Sequence, residues 1–123
     1  MHQPTWPSEW LRGVLELCVL RVVADGPTYG YAIAGALEEA GLGSIKGGTL
    51  YPLLTRFEKA GLLAPEWRAG EAGPARKYYV LTPAGRDELA ATAGRWATFA
   101  ATVTQHLEPT TPSSITPSGE AVR

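Results

Sequence analysis

The stretch from residue 47 to residue 82 constrains the fold of this chain most. Residues 47–63 read GGTLYPLLTRFEKAGLL, in which apolar side chains recur at the spacing of one helical face and Gly61 marks the end of the helix. Residues 76–82 read RKYYVLT, an aromatic-rich run that predicts a strand with two cations at its start. Glycines and a proline at residues 70–74 lie between the runs, as is typical of a hairpin tip. A helix followed by a basic β-hairpin predicts a winged helix-turn-helix, a fold that commonly binds DNA.

Helical periodicity and chain-breaking residues predict four helices and one hairpin. The helices are expected at about residues 9–24, 29–40, 48–60 and 83–107, and the strands at about 63–68 and 77–81. Helix N-caps are expected at Ser8, Thr28 and Thr82, and a minimal strand at Ile45.

The predicted fold class is mainly α with a small antiparallel β-wing. Residues 1–82 are expected to form the winged helix-turn-helix DNA-binding domain, residues 83–107 a long C-terminal dimerisation helix, and residues 108–123 a disordered tail rich in Pro, Ser and Thr. A length of 123 residues fits one such domain with an appended helix.

Bulk properties favour a cytoplasmic protein with no membrane partner. No apolar stretch approaches the ~20 residues that a membrane span needs, and residues 1–4 lack the cationic start of a secretory signal. The single Cys18 excludes an intrachain disulfide. It lies in an apolar helical segment, where a buried small hydrophobic residue is the simpler interpretation than a redox group.

The formal net charge of −1 is unevenly distributed along the chain. Residues 1–43 carry two cations against five carboxylates, whereas residues 44–82 carry six cations against three carboxylates. The positive charge is therefore concentrated on the predicted third helix and wing. A phosphate backbone responds to this local field more than to the total charge. We expect moderate DNA affinity that depends on dimerisation.

Three motifs between Thr49 and Gly85 resemble the PadR family of bacterial transcriptional regulators. They are Thr-Leu-Tyr-Pro-Leu-Leu, then Glu-Lys-x-Gly-Leu, then Arg-Lys-Tyr-Tyr-x-Leu-Thr-x-x-Gly, in the order and spacing of the family. The resemblance implies a winged helix-turn-helix repressor that dimerises through its C-terminal helix. The chain departs from the family pattern at residues 46–48, Lys-Gly-Gly, where relatives often carry a Ser or Asn cap and a proline. We expect the start of the third helix to be loose until DNA orders it.

The third helix and the wing carry most of the expected DNA contacts. A helix fits the major groove, where hydroxyl, aromatic and cationic side chains reach base edges, and its amino terminus favours phosphate. The wing is expected on an adjacent phosphate or in the minor groove, and the start of the second helix beside the DNA backbone. The residues expected to contact DNA are Tyr29, Gly30, Lys46, Thr49, Tyr51, Thr55, Arg56, Lys59, Arg76 and Lys77, with Arg68 across the hairpin. The alternative is a solvated charged face with tyrosines that only pack.

Apolar residues recur along the fourth helix with spacings of 4, 3, 4, 3 and 4. The residues of this seam are Leu89, Ala93, Trp96, Ala100, Val103 and Leu107. Such a seam is typical of a helix that packs along a partner helix, so we expect a twofold homodimer on a palindromic double-stranded DNA operator. The resemblance implies the same dimer. The alternative is an intramolecular clasp.

Trp96 is the one large ring in this seam, and its neighbours Ala93 and Ala100 are small. Small residues beside a large one leave a slot across the dimer axis, where two indoles would stack on a planar aromatic ligand. Some drug-sensing members of the family resemble this arrangement. The residues expected at this ligand site are Trp96, Trp10, Val14, Ala93, Ala100 and Phe99, with Trp6 nearby. In the alternative, Trp96 only packs against Trp10 or Val14 of the other subunit.

These expectations favour a dimeric transcriptional repressor whose DNA affinity falls when a small molecule changes the spacing of its wings. The alternatives are a repressor without a small-molecule ligand and a winged-helix module that binds protein. An enzyme is not expected, because His2 and His106 lie at chain and helix ends without a carboxylate or thiol cluster. The sequence has no CxxC, HExxH or P-loop motif, and no metal or cofactor is expected.

Overall fold

The computed structural model describes residues 6–70 and 73–109. Its elements in chain order are α1 (Ser8–Ala24), α2 (Gly30–Glu39), α3 (Gly47–Lys59), β1 (Leu63–Arg68), β2 (Arg76–Leu81) and α4 (Pro83–Leu107). The predicted fold class is confirmed, because three helices and a two-stranded antiparallel hairpin form a winged helix-turn-helix and a long helix follows. The chain divides into two compact units, and the boundary falls within α4 between Ala93 and Gly94.

One apolar core holds the first unit together. α1 and α3 contribute four buried hydrophobic side chains each, α2 contributes two and the hairpin contributes three. These residues are Leu15, Val19, Leu20, Val23, Ile33, Leu37, Leu50, Leu53, Leu54, Phe57, Leu63, Tyr79 and Leu81. Full burial of a large apolar side chain stabilises a fold by about 1.5–3 kcal/mol, more than a surface ion pair contributes. The positions of α3 and the hairpin are therefore fixed by their buried faces.

Two predicted helix caps and the predicted minimal strand are wrong. α1 includes Ser8 as its first residue, so the N-cap position falls to the preceding proline, which makes no side-chain cap bond. Thr28 does not cap α2, because its backbone pairs with Tyr79 of the hairpin through N–H···O distances of 3.2 and 2.7 Å. The N-cap position of α2 is Tyr29 instead. Ile45 lies in an irregular segment before α3, where its side chain packs against the core.

The predicted cap at Thr82 is confirmed, and it anchors α4 to the core. The Gly85 N–H donates to the Thr82 hydroxyl oxygen at 2.9 Å, and that hydroxyl lies 2.7 Å from the Gly61 carbonyl oxygen. The Thr82 N–H donates to the Leu62 carbonyl oxygen at 3.1 Å. Gly85 is buried here, and a Cβ at this position would collide with the Leu62 carbonyl oxygen. The absence of a side chain at Gly85 therefore lets α4 begin close to the α3–β1 turn.

Alternation along the hairpin gives the wing two different faces. β1 and β2 pair antiparallel, and the pairing ends with Trp67 opposite Lys77 and Arg68 opposite Arg76. Because successive side chains of a strand point to opposite faces, Trp67 and Lys77 share the face whose base is buried in the core. The two arginines lie on the other face.

The second unit begins at Gly94 and contains the distal part of α4. Its large apolar side chains Trp96, Val103 and Leu107 are exposed. Leu89, on the proximal part of α4, instead packs against the core of the first unit. No helix within the described ranges has the length and apolar character to cross a membrane. The predicted disordered tail lies outside the described residues from residue 110 onward.

Candidate DNA interface

α3 presents an exposed strip opposite its buried face. Its four buried residues lie on one side of the helix. At about 100° per residue, the opposite side consists of Gly48, Pro52, Thr55 and Lys59. All four residues are exposed. Since a major groove accepts one convex helical face, this strip is the part of α3 that can enter it, and it includes the predicted contacts Thr55 and Lys59.

The other predicted contacts on α3 lie on the two flanks of this strip. Thr49 and Arg56 lie on the flank toward α1, where they line a groove of about 450 Å³ between α1 and α3. Tyr51 lies on the opposite flank and lines a concavity of about 370 Å³ beside the start of α2 and the wing. All three residues are exposed, so the strip and its flanks form one continuous surface.

The start of α3 lacks a side-chain cap, as the Lys-Gly-Gly sequence predicts. Lys46 occupies the N-cap position with extended backbone angles and makes no side-chain cap bond. Backbone bonds close the first turn: the Thr49 and Leu50 N–H groups donate to the Lys46 carbonyl oxygen at 3.0 and 2.9 Å. The amide groups at this end of the helix and the Lys46 ammonium together favour an anion such as phosphate.

Arg56 is held by a carboxylate of α1 in the free chain. Its guanidinium forms an ion pair and hydrogen bond with Glu16, 40 residues earlier in the sequence. The two side chains are 60% and 55% exposed, so the pair lies at the surface. Exposed pairs contribute at most about 1 kcal/mol. Arg56 must therefore leave the Glu16 carboxylate before it can make the predicted contact with DNA.

A stack of cations and tyrosine rings covers one face of the wing. The Arg76 guanidinium carbon lies 4.2 Å from the centroid of the Tyr29 ring, and that of Arg68 lies 4.6 Å from the centroid of the Tyr78 ring. The centroids of the two tyrosine rings are 5.1 Å apart. Each exposed cation–π contact is worth about 0.5–1 kcal/mol. The stack orients the wing against the start of α2, and guanidinium edges in such a stack can still donate to phosphate.

Lys77 joins the opposite face of the wing to α3. Its ammonium lies 3.0 Å from the Glu58 carboxylate, and this hydrogen bond raises the pKa of Lys77 above its usual value. Burial raises the pKa of the neighbouring Tyr79. At physiological pH Lys77 is therefore a cation and Tyr79 a neutral phenol. The Lys77 ammonium, which is predicted to contact DNA, is already engaged in connecting the wing to α3, whereas the Arg76 guanidinium stacks on the Tyr29 ring.

Tyr51 covers the start of α2 so closely that glycine is needed beneath it. A Cβ at Gly30 would lie 2.5 Å from two carbons of the Tyr51 ring and would also collide with the Tyr51 hydroxyl. The Tyr51 side chain is 50% exposed and shares its concavity with Tyr29 and Arg76. The predicted contacts on α2, α3 and the wing are therefore brought together around one tyrosine ring.

Sequence reasoning missed Trp67, Tyr31 and Glu16. Trp67 is 66% exposed beside Lys77, and strand alternation in the predicted hairpin was a sufficient signal to place it there. Tyr31 is 81% exposed and lines the same concavity as Tyr51. Glu16 carries no comparable signal, because its pairing with Arg56 depends on how α1 packs on α3.

The residues of the expected ligand site lie in separate parts of the chain. Trp10 of α1 is exposed, and its ring lies 6.5 Å from that of Trp6, whose indole N–H donates to the Gly41 carbonyl oxygen at 2.8 Å. Trp96 and Phe99 are exposed in the second unit. A ligand slot built from both sets stays a prediction.

Other site chemistry is sparse in the part of the chain that the structure describes. No group of three or more His, Cys, Asp or Glu side chains there could hold a metal ion. Burial raises the pKa of the Cys18 thiol, which keeps it protonated and weakly nucleophilic.

An exposed helical strip beside a cation-bearing hairpin defines the class of winged helix-turn-helix DNA-binding domains. Residues 19–91, more than half of the chain, match the sequence model of the Transcriptional regulator PadR-like family. The chain therefore belongs to the PadR-like family, whose members are DNA-binding transcriptional regulators and not enzymes.

Two relatives and one solved structure show the extent of the similarity. A transcriptional regulator of Mycobacterium tuberculosis is 40% identical over 81 residues, which cover 66% of this chain and 74% of the relative. An uncharacterized 37.1 kDa protein in a transposon of Streptomyces fradiae is 39% identical over 74 residues. That match covers 60% of this chain but only 20% of the Streptomyces protein, so this chain spans about a fifth of that length. A crystal structure of a PadR family transcriptional regulator from Eggerthella lenta is 38% identical with a TM-score of 0.75, and the match covers 83% of this chain and 88% of that one.

Proposed function

We propose that this protein is a sequence-specific DNA-binding transcriptional regulator that places α3 in the major groove and its wing on adjacent phosphates. The observation that carries the proposal is the continuous surface formed by the α3 strip, its two flanks and the stacked cations of the wing. Thr55 and Lys59 would face base edges, while Lys46 and Arg76 would bind phosphates on either side. Membership of the PadR-like family supports the same use of this surface.

We further propose that the regulator is a homodimeric repressor. The distal part of α4 exposes Trp96, Phe99, Val103 and Leu107 at spacings of three and four residues, a pattern that a partner helix would cover. A run of large exposed apolar residues is uncommon on a monomer and marks an interaction surface. A twofold dimer would present two copies of α3 to successive major grooves of a palindromic operator, and occupancy of a promoter would block transcription. Because such a regulator acts on chromosomal DNA, we propose a cytoplasmic location.

A planar aromatic effector between two copies of α4 would explain why Trp96 stands exposed beside the small Ala100. A ligand bound there would favour a dimer whose α3 helices miss successive grooves, and DNA affinity would fall by population shift. In the second candidate function, Trp96 only packs across the dimer and the repressor has no such ligand. Quenching of tryptophan fluorescence by planar aromatic dyes distinguishes the two candidates. Quenching that occurs in the wild type and is lost in Trp96→Leu would support the ligand site, whereas retained quenching would favour packing alone.

Fluorescence anisotropy of labelled duplexes tests the proposed function. The duplexes carry DNA from upstream of the protein's own coding region and a scrambled version of it, and each is titrated at several salt concentrations. Arg76→Gln is expected to weaken binding to both and to reduce the salt slope by about one per subunit. The matched control is Arg86→Gln, which removes an exposed cation of α4 that is not among the expected DNA contacts, and it should change neither. Equal, feeble and salt-independent binding of the wild type to both duplexes would instead support a protein-interaction module.

A further inference from the structure

The α1-facing flank of α3 contains an ion pair between helices that are distant in sequence. Arg56 extends from α3 toward α1 and pairs with Glu16, which draws the guanidinium sideways from the exposed strip. The pair lies on the groove between the two helices, whose lining also includes the cations Arg12 and Lys46. Among the residues that line this groove, Glu16 is the one carboxylate.

We propose that Glu16 sets the DNA affinity of this protein by competing with DNA for Arg56. The inference rests on the proposed function, in which the α3 surface binds DNA. In the free protein Glu16 neutralises a cation that stands beside the strip. When α3 enters the major groove, Arg56 leaves the carboxylate and bonds a phosphate or a guanine edge.

Glu16 and DNA compete for Arg56, and the relative strengths of the two contacts favour release from Glu16 only when DNA is bound. The Glu16–Arg56 pair is more than half exposed, so it resists exchange by a factor of only about two to five. A bidentate contact from Arg to guanine is worth about five- to 150-fold, which exceeds that resistance. After exchange, the Glu16 carboxylate remains exposed and hydrated, so the loss of its partner leaves no buried charge. On a wrong DNA sequence, a weak contact of Arg56 would not offset the loss of its ion pair with Glu16. Glu16 therefore suppresses weak binding.

The second ion pair at this surface has a different character. Lys77 and Glu58 are each only about a third exposed and connect the wing to α3, with the Tyr79 ring 5.4 Å from the ammonium. Breaking that pair would disturb the position of the wing. Glu16 joins no element of the wing, so its removal changes the availability of Arg56 without moving the hairpin.

The test is a double-mutant cycle on DNA affinity with Glu16→Gln, Arg56→Gln and the double variant. Two probes are used: a duplex recovered by selection from a random library and a random-sequence duplex. Glu16→Gln is expected to bind the selected duplex about two- to five-fold more tightly than the wild type. In the Arg56→Gln background, the same change should have an effect below about 1.5-fold, because no guanidinium is left to release. Glu39→Gln, which removes an exposed carboxylate of α2, is the matched control for net charge and should also stay below about 1.5-fold.

The outcomes separate this inference from the proposed function. If the wild type binds the selected duplex but Glu16→Gln is unchanged or weaker, Arg56 keeps its carboxylate on DNA and the inference is overturned. An equal gain with and without Arg56 would assign the effect to general repulsion of phosphate and would also overturn it. If the wild type does not distinguish the two probes, the proposed function itself fails. Thermal unfolding of each variant confirms that the compared proteins are folded.

Discussion

Replacing Gly30 by alanine tests whether Tyr51 organises the candidate interface. Gly30 is the first residue of α2 and is buried beneath the Tyr51 ring. A new Cβ would lie 2.5 Å from the ring carbons Cε1 and Cζ, roughly 1 Å closer than ordinary van der Waals contact. Because the Tyr51 side chain is 50% exposed, the ring can move outward into solvent instead of displacing the core.

The magnitudes predict effects of similar size on DNA binding and on stability. Alanine in place of glycine favours a helix by about 0.5–1 kcal/mol, whereas overpacking at a fitted contact opposes folding by about 1–3 kcal/mol. The free energy of unfolding should therefore fall by about 0–2.5 kcal/mol. The displaced ring would leave the flank of α3 and enter the concavity that it shares with Tyr29 and Arg76. Loss of one well-placed contact, about 1.4 kcal/mol, corresponds to a tenfold weaker DNA complex.

Anisotropy titrations and thermal unfolding of the same samples give both quantities. Gly13→Ala is the matched control, because a Cβ there meets nothing within 4 Å on the exposed side of α1, and it should leave DNA affinity unchanged. Adding Tyr51→Ala to Gly30→Ala should restore part of the lost stability, with a coupling of about 1 kcal/mol. If Gly30→Ala is as harmless as Gly13→Ala in both assays, Tyr51 does not organise this surface as described.

Three further predictions concern the core, the thiol and α4. Gly85→Ala should lower the free energy of unfolding by about 3 kcal/mol, because the new Cβ meets the backbone carbonyl of Leu62. Gly94→Ala is the control, because the space around Gly94 is open. Equal melting temperatures of the two variants would contradict the close packing of Gly85 against Leu62. Cys18 should react with a thiol reagent at pH 8 more slowly than a free thiol, since burial raises its pKa, and denaturant should abolish the difference; reaction at the free-thiol rate in the folded protein would refute this. Trp96→Ala should raise the dissociation constant of the homodimer, measured by sedimentation equilibrium, at least about tenfold, whereas Thr102→Ala should not. An unchanged dissociation constant in Trp96→Ala would show that Trp96 lies outside the interface.

Local sequence signals were sufficient to locate the four helices and the hairpin. The expected third helix, residues 48–60, differs by one residue at each end from Gly47–Lys59, because apolar periodicity and the stop at Gly61 are both local. The Thr82 cap was equally readable, since hydroxyl and proline are adjacent in sequence. Thr28 does not form the expected cap, because its backbone pairs with that of Tyr79, 51 residues later in the sequence, in a β-bridge.

The sequence indicated cations of the candidate site but not the contacts that those side chains make. Charge distribution located the cations of α3 and the wing. It could not show that Arg56 is paired with Glu16, because that pair depends on how α1 packs on α3. The stacking of Arg76 on Tyr29 likewise joins elements that only the folded chain brings together. Dimerisation and ligand binding through Trp96 remain predictions, since they concern contacts between two copies of the chain.

Whether α3 and the wing bind DNA is tested most directly by selection of duplexes from a random library with the purified wild-type protein, followed by affinity measurements across salt. We expect recovery of a palindromic sequence that is bound about a thousandfold more tightly than random DNA at physiological salt, with an affinity that falls steeply as salt rises. Failure to enrich any sequence, together with weak binding that salt does not change, would contradict the assignment of α3 and the wing as a DNA interface.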